Sequence, residues 1–342
     1  MNYRELSKIL GVSPATISLI VNNKPGVSEK TRQEVIQKLK NQGYLNLIPK
    51  SKEILEPDNI AFVVFKRDGK ILDQHPFFLL LMQDLVNVSY ENGFNILISH
   101  LDTRLEISHQ LEAINALNVK GLLVFATEME NDDLKYFSNI NLPIVFLDNH
   151  FSMCCVNTVS IDNSMGTFQS IEHIKKLGHK HIAHIRSVDR ISSFNEREEW
   201  YTKAINYFGF DQVDRIDARY SEEGSYHDIL EYIIKIPKDK LPTALVADDD
   251  MIITGALRAV TEYGLSVPED ISLIGFSNRP VCEITTPQLS TVSVDRYGLT
   301  AEAIETLVQN IRSDEKTQYY CKKRISTSLL DRESTAHPRA GR

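Results

Sequence analysis

From residue 58 onward the chain alternates near-continuous apolar runs with helix-length stretches, a pattern that few folds accommodate. Ile60-Ala61-Phe62-Val63-Val64-Phe65, Phe94-Asn95-Ile96-Leu97-Ile98, Gly121-Leu122-Leu123-Val124-Phe125 and Ile144-Val145-Phe146-Leu147 are too apolar for strands with a wet face. They read as parallel strands covered on both sides. Helix-length segments from Phe78 to Asn92 and from Glu106 to Leu117 lie between them, which predicts βαβ repetition. After Val159 a second series follows: His181-Ile182-Ala183-His184-Ile185, Thr243-Ala244-Leu245-Val246-Ala247 and Ile271-Ser272-Leu273-Ile274-Gly275-Phe276. The expected body is therefore α/β, with two doubly wound parallel-sheet lobes. Ligands of such sheets bind beyond the carboxyl ends of the strands, so facing lobes enclose a cleft there.

The first 45 residues follow a different rule. Leu6, Ile9 and Leu10 form one helical stripe and Ile17, Ile20 and Val21 another, separated by a turn at Gly11; this predicts a small all-α helix-turn-helix unit. Asn2 can cap the first helix with Glu5 reaching back, and Pro14 suits the first turn of the second. A third helix is expected after Ser28, through Thr31, Val35, Ile36 and Leu39, ending near Gly43. Residues 1–50 carry eight bases and three acids, a net of +5, so with −8 for the whole chain the remainder carries −13. A basic head on an acidic body suits a module that neutralises phosphates on a body that a duplex repels. No apolar run of about 18 residues and no apolar N-terminal signal region occur, which predicts a soluble, cytoplasmic protein. Cys154, Cys155, Cys282 and Cys321 lack metal-ligand spacing and are expected to be free thiols.

Leu10-Gly11-Val12-Ser13-Pro14-Ala15-Thr16-Ile17-Ser18, Val21-Asn22-Asn23, Val27-Ser28-Glu29-Lys30-Thr31-Arg32 and Gly43-Tyr44 follow one another in an order and spacing that resembles the headpiece of the lactose repressor family of bacterial transcription regulators. The resemblance implies DNA binding through Ser13, Pro14, Ala15, Thr16, Ser18, Leu19, Asn22, Ser28 and Thr31. Short side chains there let a helix sit deep in the major groove. The family often has arginine where this chain has Leu19, so thymine methyls or groove shape are expected to replace a guanine contact. Ile161-Asp162-Asn163, Leu177-Gly178-His179, Leu265-Ser266-Val267-Pro268-Glu269-Asp270 and Pro287-Gln288-Leu289-Ser290-Thr291-Val292 extend the resemblance to the family's periplasmic-binding-protein-like core. That core implies lobe one at 58–158 plus 289–319, lobe two at 159–288 plus 320–335, a hinge linker at 46–57 and a disordered tail at 336–342. The linker retains little of the family's hinge helix, and Pro49 restricts Ile48 to extended backbone.

Strand ends nominate the effector residues: Lys66, with Arg67 beside it, after the first strand, Phe77 and Phe78 opening a helix, and Asp148 after the fourth strand. Ser193, Arg197, Tyr220, Asp249 and Ser277 come from the second lobe. Planar groups that grip paired hydroxyls, set beside aromatic faces, are what a sugar requires. The resemblance implies that Arg197 grips the effector, that Asp148 is the first-lobe acid and that Tyr220 stacks. Ser277 stands where the family has the aspartate of Gly-Phe-Asp, which leaves room for a phosphosugar beside Lys66 and Arg67.

Other features read structurally. His181 and His184 should point to opposite sides of a strand and His179 belongs to a turn, so no metal or cofactor is expected. Asp248-Asp249-Asp250 gives the best enzyme alternative, a nucleotide-sugar-dependent glycosyltransferase, and a solute-binding protein is the other; the basic head argues against both. The expectation is a homodimeric repressor, not an enzyme, with operator DNA and a sugar-type effector as partners.

Overall fold

A computed structural model describes residues 3–21, 24, 26–41, 44, 57–74, 77–313 and 320–339. The chain divides into two compact units, Met1–Asp58 and Asn59–Arg342. The first contains α1 (Tyr3–Leu10), α2 (Pro14–Val21) and α3 (Glu29–Asn41). Leu6, Leu10, Ile17, Ile20, Val35 and Leu39 close its core, each contributing about 1.5–3 kcal/mol by leaving water. Ser13 caps α2, its Oγ accepting from the Thr16 N–H at 3.0 Å, and Ser28 caps α3 through the Thr31 N–H at 3.2 Å. Ile9 departs from the expected stripe and is 48% exposed: one turn cannot bury three apolar positions against two short partners. Asn2, Asn22, Gly43 and most of the expected 46–57 linker lie outside the described residues.

In the body, one sheet runs in the order β11-β5-β4-β3-β1-β2, with β1 Asp58–Lys66, β2 Phe94–Asp102, β3 Leu122–Phe125, β4 Ile144–Leu147, β5 Asn157–Ile161 and β11 Lys322–Ile325. The other runs β12-β10-β9-β8-β6-β7, with β6 His181–Ser187, β7 Gln212–Ala218, β8 Ala244–Ala247, β9 Ser272–Ser277, β10 Ser290–Val294 and β12 Thr327–Leu330. β10 and β12 pair antiparallel, while β9 with β10 and β3 with β4 are parallel. Helices α4 (Met82–Glu91), α5 (Ile107–Asn115) and α11 (Arg296–Arg312) belong to the first lobe. To the second belong α6 (Asn163–Lys176), α7 (Ser192–Phe208), α8 (Glu222–Ile234), α9 (Asp250–Glu262) and the short α10 (Val281–Ile284). Every residue of β3, β8 and β9 is buried, which is why these strands read as continuous apolar runs. Among the described residues no helix is long and apolar enough to cross a membrane.

Three boundaries differ from the expectation. β5 stays in the first sheet through Ile161, β10 belongs to the second sheet and β11 to the first. The chain therefore changes lobe near Asp162, Asp295 and Ser326 rather than at 158, 288 and 319, because each crossover follows a completed strand. The tail is also partly anchored, contrary to the expected disorder: the Ala336 carbonyl accepts from Ser272 Oγ, and Arg339 pairs with Asp270 at 2.6 Å. Residues 340–342 lie outside the described part.

Candidate functional site

In the N-terminal unit Pro14, Ala15, Thr16, Ser18 and Leu19 lie on α2, Ser13 caps it, and Ser28 and Thr31 stand at the start of α3. Ser13, Pro14, Ala15 and Ser28 are exposed, and Thr16, Ser18, Leu19 and Thr31 are half-buried. Two of the hydroxyls are also structural, since Ser13 and Ser28 cap their helices and share hydrogen bonds with the hydroxyls of Thr16 (2.8 Å) and Thr31 (2.7 Å).

In the body, strand ends of both lobes bring polar side chains into the cleft. Asp148 follows β4 with a left-handed φ of 65°. Thr127 Oγ1 donates to its Oδ2 at 2.5 Å, whereas buried Oδ1 lacks a protein partner. Burial pushes its carboxyl up to about 6, with the Thr127 hydrogen bond and the charges of Arg197 and Arg279 pulling the other way. Ser193 and Arg197 are four residues apart on α7, hence on one helix face. Arg197 donates from Nε to Asn163 Oδ1 at 2.8 Å and from Nη1 to the Asp248 carbonyl, and its guanidinium lies 3.6 Å from the Phe276 ring centroid. Asp249 caps α9 by accepting from the Met251 N–H at 3.0 Å, and also accepts from Ser277 Oγ at 3.1 Å and Tyr220 Oη at 3.4 Å.

The sequence reading missed Arg279, which sits at the centre of this cluster. Its Nε donates to Asp249 at 3.2 Å, its Nη2 to Tyr220 Oη at 2.9 Å, and its guanidinium faces Phe77 of the other lobe at 5.8 Å. Burial alone lowers its pKa, but the charges of Asp249 and Asp250 and the hydrogen bond to Asp249 outweigh that and hold it firmly protonated. Arg279 lies two residues beyond the strand end at Ser277, on a loop whose path strand-end position does not give. Asn163, part of the Ile161-Asp162-Asn163 motif, also joins the site by accepting from Arg197 and donating to Glu196.

Of the other expected residues, one is turned into the core and one is paired within its own lobe. Phe78 packs against Phe62 and Phe125 in the first-lobe core, since the segment Phe77–Leu81 is a 3-10 turn that directs the two phenylalanines differently. Lys66 is engaged by Asp73 at 2.5 Å, and Arg67 by Glu130, all within the first lobe. The three consecutive aspartates are also separated by their partners. Asp248 accepts from His184 at 2.8 Å and Arg190 at 3.1 Å, while Asp250 accepts from Thr291 at 2.6 Å and the Arg279 N–H at 2.7 Å. Gly275 permits this last arrangement, because a Cβ there would collide with Asp250 Oδ1. Beside the cluster a cavity of 510 Å³ opens between the lobes, lined among others by Glu130, Asn149, His150, Arg190 and Glu196.

Comparison with known proteins places these features in context. The family model for bacterial regulatory proteins of the lacI family matches residues 6–46, and that for a periplasmic binding protein-like domain matches residues 171–335. The chain is 27% identical to the HTH-type transcriptional repressor PurR of Haemophilus influenzae over 340 residues, covering 97% of each protein. Among solved structures it resembles a complex of the transcriptional regulator CelR with cellobiose, at 22% identity and a TM-score of 0.69, covering 98% of this chain and 99% of that one. It also resembles the lac repressor dimer bound to operator and an anti-inducer, at 23% identity and a TM-score of 0.70, covering 97% and 98%. At these identities the solved structures speak to the fold.

Proposed function

Because the chain belongs to the lacI family of bacterial regulatory proteins and carries a periplasmic-binding-protein-like core, we propose that it is a cytoplasmic, homodimeric repressor. On this reading it binds operator DNA through residues 1–45 and senses a small carbohydrate in the cleft of its body. The observation that carries the sensing role is the convergence of Asp148 from one lobe with Arg197, Tyr220, Asp249 and Arg279 from the other, beside Phe77 and Phe276. Planar hydrogen-bonding groups against aromatic faces match the alternating hydroxyl and C–H surfaces of a pyranose. A neutral sugar is favoured over a phosphosugar, since Lys66 and Arg67 are held by acids of their own lobe. The cellobiose seen in a similar regulator accords with this class. The relative named above is a repressor, and no catalytic step is assigned to this chain.

DNA recognition is assigned to the exposed side of α2, with Pro14, Ala15 and Leu19 touching base edges and Ser13, Thr16, Ser18, Asn22, Ser28 and Thr31 touching phosphates or bases. Dimerisation follows from affinity: one small unit makes few contacts, whereas two joined on a symmetric site gain through effective concentration. Thermal unfolding of the full chain against mono- and disaccharides and their phosphates tests the sensor. A sugar at 100 times its dissociation constant should stabilise the protein by about 2.7 kcal/mol. A shift with sugar phosphates alone would overturn the neutral class, and no shift with any sugar would overturn carbohydrate sensing.

A further inference from the structure

The two lobes of the body are held to each other by groups that lie at the candidate cleft. Arg279, 8% exposed, reaches from the second lobe to Phe77 of the first. A cation within about 6 Å of a ring centroid is attracted by the ring's negative face. From the opposite side, first-lobe Ile71 is 5% exposed and packs into the apolar cluster of the second lobe with Ile185, Phe194 and Ile216. It is the one first-lobe member of that cluster among the described residues. The segment carrying it is rigidly shaped. Glu128 accepts four backbone N–H groups, those of Arg67 (2.9 Å) and Gly69 (3.0 Å) on one oxygen and of Ile71 (3.0 Å) and Leu72 (2.8 Å) on the other. Gly69, at φ 72°, supplies the left-handed turn. Lys70 adds an ion pair to Asp189 of the second lobe at 3.8 Å.

We propose that Arg279 is a built-in occupant of the effector cleft, and that segment 67–72 is the latch that keeps the lobes closed over it. This rests on the reading of the cleft as an effector site and adds a specificity rule. The Arg279 guanidinium takes the Asp249 and Tyr220 hydrogen-bonding positions and the Phe77 face, so an effector must supply groups that replace it. Bound sugar and Arg279 in its present place are alternatives.

The test uses the full-length chain and methylguanidinium, which has the shape and charge of the missing group. In Arg279→Ala, methylguanidinium at millimolar concentration should raise the unfolding temperature, while wild type should not respond. Amide exchange at residues 69–72 and 77–81 should be about tenfold faster in Arg279→Ala than in wild type and slow again on adding the probe. Glu128→Gln, which replaces an accepting oxygen with an amide donor, should speed exchange at 67–72 without creating a methylguanidinium site. An Arg279→Ala chain that ignores methylguanidinium, or wild-type exchange at 69–72 as fast as in that variant, would overturn the proposal. Neither result bears on the sugar response of wild type, which tests the sensing role separately. Should Arg279→Ala fail to fold, Arg279→Lys takes its place: exchange at 69–72 faster than in wild type supports the latch, and exchange equal to wild type overturns it.

Discussion

Asp148 holds a carboxyl where its charge is poorly solvated, and one oxygen has no protein donor. Its pKa of about 6 lies above the ordinary 3.8, so the folded state prefers the protonated form. The associated stability is fully present below pH 4 and is lost as pH rises through 6. Asp148→Asn keeps the shape and removes the charge. Relative to wild type it should gain stability across that window, up to about 3 kcal/mol above pH 7 and nothing near pH 4; denaturant unfolding from pH 4 to 8 measures this. A difference independent of pH would show that the carboxylate is solvated or paired. Asp250 is also raised to about 6 by burial and by the charge of Asp249, but it remains in both proteins and cancels. The same substitution should weaken sugar binding, since an amide cannot accept hydroxyl protons at both positions. For Arg197→Ala the prediction is loss of the sugar-induced thermal shift with operator affinity nearly unchanged; equal loss of both would make Arg197 structural.

Elements were legible in proportion to how uniformly their neighbours cover them. β1, β3, β4, β8 and β9 lie inside their sheets under helices on both faces, and their apolar runs announced them. β7 and β11 are edge strands whose Gln-Val-Asp-Arg and Lys-Lys-Arg sequences serve solvent and protect the edge; no hydrophobic pattern reveals them. The candidate site was legible as far as strand ends could be located. Asp148, Arg197, Tyr220 and Asp249 stand together, while Arg279 was hidden because its role depends on a loop path that periodicity does not encode. Two predictions belong at this scale. Ser28→Ala removes the cap of α3 and should destabilise the N-terminal unit by about 1 kcal/mol, read from its thermal transition. Gly275→Ala places a methyl against Asp250 and should cost about 1–3 kcal/mol as an overpacked site; an unchanged unfolding midpoint would contradict the close approach.

For the whole molecule, a regulator of this kind stands or falls on linkage between two sites. Deleting residues 1–57 removes the first unit and leaves a body whose two sheets close their own cores, so it should bind sugar as the full chain does while losing DNA. The most direct measurement is the affinity of the full-length protein for a duplex selected from a random-sequence pool, titrated with and without the sugar that raises its unfolding temperature. Coupled sites give an affinity change of about 5–150-fold, matched by the same factor in sugar affinity when duplex is bound. Equal duplex affinity at saturating sugar, or no enriched sequence in the selection, would contradict this linkage.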